Sequence, residues 1–132
     1  MPDTQMALKL IYRANIFVVN RVRSTLEMGR GDDNDIVVAS LFASRLHARV
    51  EARNGQFVLT DLSSNGTFVL LDEQSDAQSD GQSDAQSEAH TSERRLRQEE
   101  MILTGRGWLG MGRSAAKHGD HSVRFTVQAE MG

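Results

Sequence analysis

Apolar and polar positions alternate in short runs along most of the chain. In the first stretch, "ALKLIYRANIFVV", apolar side chains take every second position around Leu8, Leu10 and Tyr12, the spacing of a half-buried strand. Further short runs predict strands near Thr25–Met28, Ile36–Val38, His47–Arg53, Gln56–Thr60, Thr67–Leu71, Arg95–Arg97, Met101–Leu103, Trp108–Met111 and Ser122–Val127. "RNGQ" (53–56), flanked by "HARVEA" and "FVLTD", predicts a tight Asn-Gly hairpin. Outside one acidic segment no long stretch has convincing helical periodicity. Many short strands separated by turn signals indicate a sandwich or a barrel.

The acidic segment, residues 72–93, is an internal repeat: QSDA, QSDG, QSDA, QSEA over 74–89. It has no apolar residue larger than Ala, so it cannot bury enough surface to offset its ordering entropy. The expectation is a disordered insert between strands; a marginal solvated helix is the alternative, because Gln, Ala and Glu permit one. The chain then reads as a single domain over 1–132, with its core in 7–71 and 94–127 and the low-complexity insert at 72–93.

Charge sharpens this division. The net charge of −3 conceals seven acids and no Lys or Arg in residues 72–93. Setting those acids aside leaves eleven acidic against fifteen basic residues, a body of +4. That is an ordinary surface charge and points only weakly to an anionic partner. Aromatics are 5% of the chain and no basic stripe interleaves them, which argues against nucleic acid. The absence of cysteine excludes disulfides, thiolate metal sites and a cysteine nucleophile. No apolar run approaches a membrane span, and "MPDTQMALKL" lacks the order of a signal peptide, so the expected location is cytoplasmic.

Three loops concentrate polar groups: "MGRGDDNDI" (28–36), "SLFASRLHAR" (40–49) and "DLSSNGT" (61–67). If they share one end of a sandwich, they gather Arg30, Ser44, Arg45, Ser64 and Asn65. Two guanidiniums, two hydroxyls and an amide form a set of donors suited to a phosphate on a side chain, with its charge of about −1.5 to −2 and three acceptor oxygens. Taken singly, Arg30 is a solvated arginine, Ser44 a turn or cap residue, His47 a half-buried histidine and Asn65-Gly66 a hairpin turn. Only the conjunction points to a ligand.

The order Gly-Arg (29–30), Ser-x-x-His (44–47), Ser-Asn-Gly-Thr (64–67) resembles the forkhead-associated (FHA) domain. "NDIVV", "SRLHARVEARNGQFVLTDLSSNGTFV" and the late "LGMGRS" fit the same family in register. The likeness is close over about 7–71 and looser over 94–127. It implies an all-β fold, a two-sheet antiparallel β-sandwich of about eleven short strands (FHA/SMAD-like). It also implies a module that binds phosphothreonine peptides and does no chemistry.

By that resemblance Arg30 pairs with the phosphate, Ser44 donates its hydroxyl to a phosphate oxygen, and Arg45 adds a phosphate or peptide contact. Ser64 lies near the phosphate and Asn65 grips the peptide backbone. His47 braces the loop that holds Ser44, Gly66 permits the turn that aims Asn65, Thr67 supports that loop, and Gly29 lets the chain turn tightly before Arg30. Leu41, Phe42 and Arg45, with the late loop 113–121, are candidates for reading the residues that flank the threonine. Phe42 favours an apolar side chain there, and Arg113 and Lys117 extend a basic rim. Strand alternation sends the acidic insert out from the opposite end.

Other chemistry ranks lower. "GRGWLG" (105–110) formally matches Gly-x-Gly-x-x-Gly but has no room for the βαβ unit that motif needs. Ser44, His47 and Asp61 are ingredients of a hydrolase triad without a nucleophile elbow. "HGDH" (118–121) offers two histidines and no third metal ligand. The expectation is no enzyme, cofactor or metal, and a partner that carries phosphothreonine: a Ser/Thr kinase or its substrate, with no nucleic acid or membrane involved. Thr4 and Thr91 are candidate phosphorylation sites. The rival reading is an assembly module of the same fold that binds an unphosphorylated partner, such as a cyclase or secretion-system component.

Overall fold

The computed structural model describes residues 5–72, 93–115 and 121–129. They form eleven strands: β1 (Met6–Tyr12), β2 (Asn15–Val19), β3 (Thr25–Gly29), β4 (Ile36–Val37), β5 (Ala48–Arg53), β6 (Gln56–Asp61), β7 (Thr67–Leu71), β8 (Glu93–Leu96), β9 (Glu100–Leu103), β10 (Arg106–Met111) and β11 (Val123–Ala129). A six-stranded sheet, β2-β1-β11-β10-β7-β8, packs against a five-stranded sheet, β4-β3-β5-β6-β9. The fold is therefore the β-sandwich rather than the barrel. Every described pair of strands is antiparallel except β3–β4, which is parallel with Met28 opposite Ile36.

The core lies between the sheets and follows from the alternation. Leu8, Leu10 and Tyr12 point inward from β1, Leu26 and Met28 from β3, Val50 from β5, Leu59 from β6, Val69 from β7, Leu109 from β10 and Phe125 from β11. Tyr12, Phe57 and Phe125 are the aromatic exceptions among mainly aliphatic neighbours that include Val19, Ile36 and Leu103.

Some boundaries move. The opening stretch is two strands, because Arg13 and Ala14 both adopt left-handed φ (48° and 73°) and close a tight turn with Tyr12 opposite Asn15. The 53–56 hairpin forms as read: Asn54 and Gly55 are left-handed and Arg53 pairs with Gln56. Gln98 turns left-handed (φ 58°) and separates β8 from β9. The acidic segment begins and ends later and earlier than its composition indicated. Asp72 accepts from both terminal nitrogens of Arg124 (3.1 and 2.8 Å), and Glu93 already pairs with Leu70 as the first residue of β8. Residues 73–92, with Thr91, lie outside the described residues, as do Thr4 and Lys117. Among the described residues no helix is long and apolar enough to cross a membrane.

Register places the polar loops. Met28 and Asp61 both sit opposite Ala48, and Met111 sits opposite Thr67. The ends of β3, β6 and β10 and the starts of β5 and β7 thus share one end of the sandwich, and the 53–56 hairpin occupies the other.

Candidate functional site

A buried carboxylate organises the first part of this end. Asp61, at the end of β6, is fully buried. Its Oδ1 accepts from the Ser63 hydroxyl (2.6 Å) and the Thr67 hydroxyl (2.7 Å), and Oδ2 accepts from the Gln98 backbone N–H (2.7 Å). The Ser63 hydroxyl in turn accepts from the Gly66 N–H (2.8 Å). A short polar side chain that bonds the backbone a few residues on is the ordinary way an Asp or Ser shapes a turn. Here these bonds close the 61–67 loop on itself and turn Ser64 and Asn65 outward, where both are exposed.

A buried imidazole ties that loop to the next. His47 is fully buried between β3 and the 61–67 loop. Its backbone donates to Met28 O (2.8 Å) and accepts from Leu62 N (2.8 Å). Nδ1 accepts from the Ser44 backbone N–H at 2.9 Å, so the ring proton sits on Nε2, which donates to Gly66 O at 2.8 Å. Burial pushes His47 below the ordinary histidine range; its bond to Gly66 and the Asp61 charge oppose that shift only in part. A neutral ring is what the two bonds require, since a protonated Nδ1 cannot accept.

The outward groups follow from these anchors. The Arg30 N–H donates to Ser44 O (2.8 Å) and its Nε to Ala43 O (3.1 Å), which leaves the two terminal nitrogens without a protein partner among the described residues. The Ser44 hydroxyl accepts from the Ser64 N–H (3.2 Å) and keeps its own proton for another acceptor. Asn65 Nδ2 donates weakly to Phe42 O (3.4 Å). Arg30 and Arg45 line an open groove of about 690 Å³ with Asp32, Asp33, Asn34 and Leu46. Ser44, Ser64 and Asn65 are not among the residues that line this groove. Of the five residues singled out in the sequence, Arg30, Ser44 and Ser64 are joined by direct hydrogen bonds; Asn65 reaches the same stretch at Phe42 O, and Arg45 is tied to the loop after Arg30, where its carbonyl accepts from Gly31 N (3.0 Å) and Asn34 Nδ2 (2.7 Å).

Gly29 has a different use from the one expected. It is not left-handed, and it provides room rather than a turn. A Cβ there would fall 2.3 Å from Arg45 O and 2.8 Å from His47 N. The 28–30 and 44–47 backbones can approach only because the side chain is missing.

Phe42 is half-exposed, and the Arg113 guanidinium carbon lies 5.0 Å from its ring centroid. Leu41 beside it is 90% exposed. Gly112 is left-handed (φ 82°), donates to Gly66 O (3.0 Å), and has no room for a Cβ against Phe42 O.

The competing constellations do not assemble. His47 meets the backbone N–H of Ser44, not its hydroxyl, and both Asp61 oxygens are occupied, so there is no triad. "GRGWLG" is mostly strand β10 within a sheet. His121 bonds the Tyr12 hydroxyl (3.0 Å), and the rest of "HGDH" lies outside the described residues. Among the described residues no three His, Cys, Asp or Glu side chains are grouped to hold a metal.

Sequence reasoning missed Ser63, Gln98, Arg95 and Gly112, and it read Asp61 only as a discarded catalytic acid. Asp-x-Ser before Asn-Gly-Thr was a usable signal for Asp61 and Ser63, because those side chains reach backbone two or three residues on. Gln98 and Arg95 act across thirty or more positions and leave no local signal.

Comparison with known proteins agrees with this architecture. Residues 26–83 match the family model described as FHA domain. The FHA-1 domain of Rv1747 from Mycobacterium tuberculosis superposes with a TM-score of 0.61 at 18% identity, over 94% of this chain and 98% of that one. Mycobacterium tuberculosis EmbR, solved with a low-affinity phosphopeptide, gives 0.60 at 22% identity over 98% of this chain and 26% of that one. The MEK1 FHA domain, solved with a phosphothreonine peptide of HOP1, gives 0.60 at 12% identity over 94% and 97%. No curated protein matches the chain by sequence. The molecule has the FHA fold, and residues 26–83 carry that family's sequence signature.

Proposed function

We propose that this protein is a phosphothreonine-peptide-binding module that docks a partner phosphorylated by a Ser/Thr kinase, the kinase itself included. The observation that carries the reading is the donor set at one end of the sandwich. Arg30 is tied by its Nε to Ala43 O and by its backbone N–H to Ser44 O, the Ser44 hydroxyl accepts from the Ser64 N–H, and exposed Asn65 reaches Phe42 O in the same stretch. Those donors suit a dianionic ester, and no catalytic group stands among them. In this reading Arg30 and Ser44 take phosphate oxygens, Arg45 and Ser64 border them, and Asn65 bonds the peptide backbone. Phe42 and Arg113 read a flanking residue. The phosphopeptides bound by EmbR and the MEK1 FHA domain support the assignment by likeness of fold.

The test is calorimetry with one threonine peptide, phosphorylated and not, against the wild type and Arg30→Ala. A charge-assisted bond is worth about 1.5–3 kcal/mol, so Arg30→Ala should weaken phosphopeptide binding roughly 10- to 150-fold. Equal binding of both peptides, or indifference to the substitution, would overturn the reading in favour of an assembly surface that ignores phosphate.

A further inference from the structure

The 61–67 loop is held from inside by Asp61 and His47, but its outermost residue, Asn65, has a second anchor from outside. Arg95, in edge strand β8, donates through Nε (3.2 Å) and one terminal nitrogen (2.9 Å) to the backbone carbonyl of Asn65. The guanidinium is itself oriented: its carbon lies 5.3 Å from the Phe68 ring centroid. A planar fork resting on an aromatic ring delivers two donors to one acceptor with little freedom left to lose. The contact is close enough to exclude a side chain beneath it, since a Cβ on Gly66 would meet Arg95 Nε at 2.8 Å and Leu96 O at 3.1 Å.

The rest of the segment pulls in the same direction. Just beyond β8, the Gln98 backbone N–H bonds Asp61 and its side-chain amide donates to Ser63 O (3.2 Å). At the start of β8, Glu93 accepts from the Ser114 hydroxyl (2.6 Å) and Ala115 N–H (2.7 Å), residues that follow Gly112, which bonds Gly66 O, and Arg113, which lies over Phe42. One short segment therefore reaches both loops that would flank a bound peptide.

We infer that Arg95 is a positioning residue for the binding site: it fixes the Asn65 carbonyl and thereby sets the height and direction at which the Asn65 side chain meets a peptide backbone. Arg95 does not touch the phosphate in this scheme. Its effect falls on the peptide, and Arg30 and Ser44 hold the phosphate without it. The inference rests on the phosphopeptide reading for its ligand, but its geometric half concerns the free protein alone.

The experiment uses the full chain as wild type, Arg95→Ala and Arg95→Lys, with two ligands: a phosphothreonine peptide and free O-phosphothreonine, which lacks flanking backbone. Losing two bonds to one carbonyl should weaken the peptide about 5- to 20-fold in Arg95→Ala while free phosphothreonine changes less than about twofold. Arg95→Lys, which keeps the charge without the fork, should fall between. Heteronuclear NOE values for the Asn65 and Gly66 amides of the unliganded protein should drop in Arg95→Ala. The inference is overturned if peptide affinity stays within about twofold, or if both ligands weaken equally, the sign of a general charge effect. If the wild type ignores phosphate, the phosphopeptide reading fails, and the amide measurement alone decides the anchor: unchanged NOE values reject it.

Discussion

Residues 54–55 and 65–66 are both Asn-Gly, and they fold by different rules. In the first pair both residues are left-handed, the flanking strands β5 and β6 are neighbours in one sheet, and a Cβ on Gly55 would meet nothing within 4 Å. In the second only Gly66 is left-handed (φ 97°), β6 and β7 belong to different sheets, and the glycine is enclosed by Arg95 and Leu96. Asn65-Gly66 is therefore not the hairpin its dipeptide advertises. The first turn is local: alternating strands on both sides already demand a reversal, and the dipeptide supplies the φ angles. The second is dictated by partners far along the chain, namely His47, Arg95, Gln98 and Gly112, acting on a loop that carries its own buried Asp61. A turn held by its neighbours can present side chains in one geometry, whereas a turn that only closes a hairpin has no such constraint.

The comparison breaks most visibly at Asp61. Asp61→Ala strands the buried Ser63 and Thr67 hydroxyls and frees the part-buried Gln98 N–H, with an expected loss of about 3–5 kcal/mol in denaturant unfolding. A loss under about 1 kcal/mol would show that the loop does not depend on this carboxylate. Next come the two glycines. Gly66→Ala combines a left-handed backbone with a Cβ that displaces the Arg95 guanidinium and crowds Leu96 O, and should cost about 2–4 kcal/mol together with most of the phosphopeptide affinity. Gly55→Ala meets only the backbone penalty, about 1 kcal/mol, and should leave binding intact. Equal costs at the two positions would erase the distinction.

The smallest effect is one of pH. Burial lowers the His47 pKa in the folded state, so the unfolded chain takes up this proton more readily. Stability contributed by the neutral ring is complete above the unfolded value near 6.5 and declines as pH falls below it, by at most about 1.4 kcal/mol per pH unit. Unfolding of wild type and His47→Gln between pH 8 and 5 should show the wild type losing its advantage on acidification. A constant difference across that range would mean that His47 does not titrate between the two states.

Much of the sandwich was legible because alternation records burial directly. Leu26, Met28, Val50, Leu59 and Phe125 are apolar at every second position of their strands and are buried. The hairpin at 53–56 was legible because its chemistry is contiguous. The turn at Arg13–Ala14 was not, since neither residue announces a left-handed φ. β8 was displaced because it is an edge strand with charged, exposed Arg94 and Arg95, a composition that protects an edge and hides its periodicity. Asp72 read as part of the acidic repeat because sequence does not show the Arg124 guanidinium opposite it. At the site, Arg30, Ser44 and Asn65 stood out as polar residues in polar loops. What orients them depends on Arg95, Gln98 and a missing side chain at Gly29, which become visible only when distant segments meet.

The strands that bracket residues 73–92 carry one more consequence. β7 and β8 are paired neighbours, with Leu70 facing Glu93, and the chain leaves β7 at the end away from Asn65. Sequence spliced in at that point changes a connection whose two stubs are already stitched side by side, and closing a longer connection adds little entropy. The tip that carries Asn65 and the point where β7 is left are thereby separated by a whole strand. Repeats added or removed there, or a fluorescent tag fused there, should leave the surface at the opposite pole unchanged.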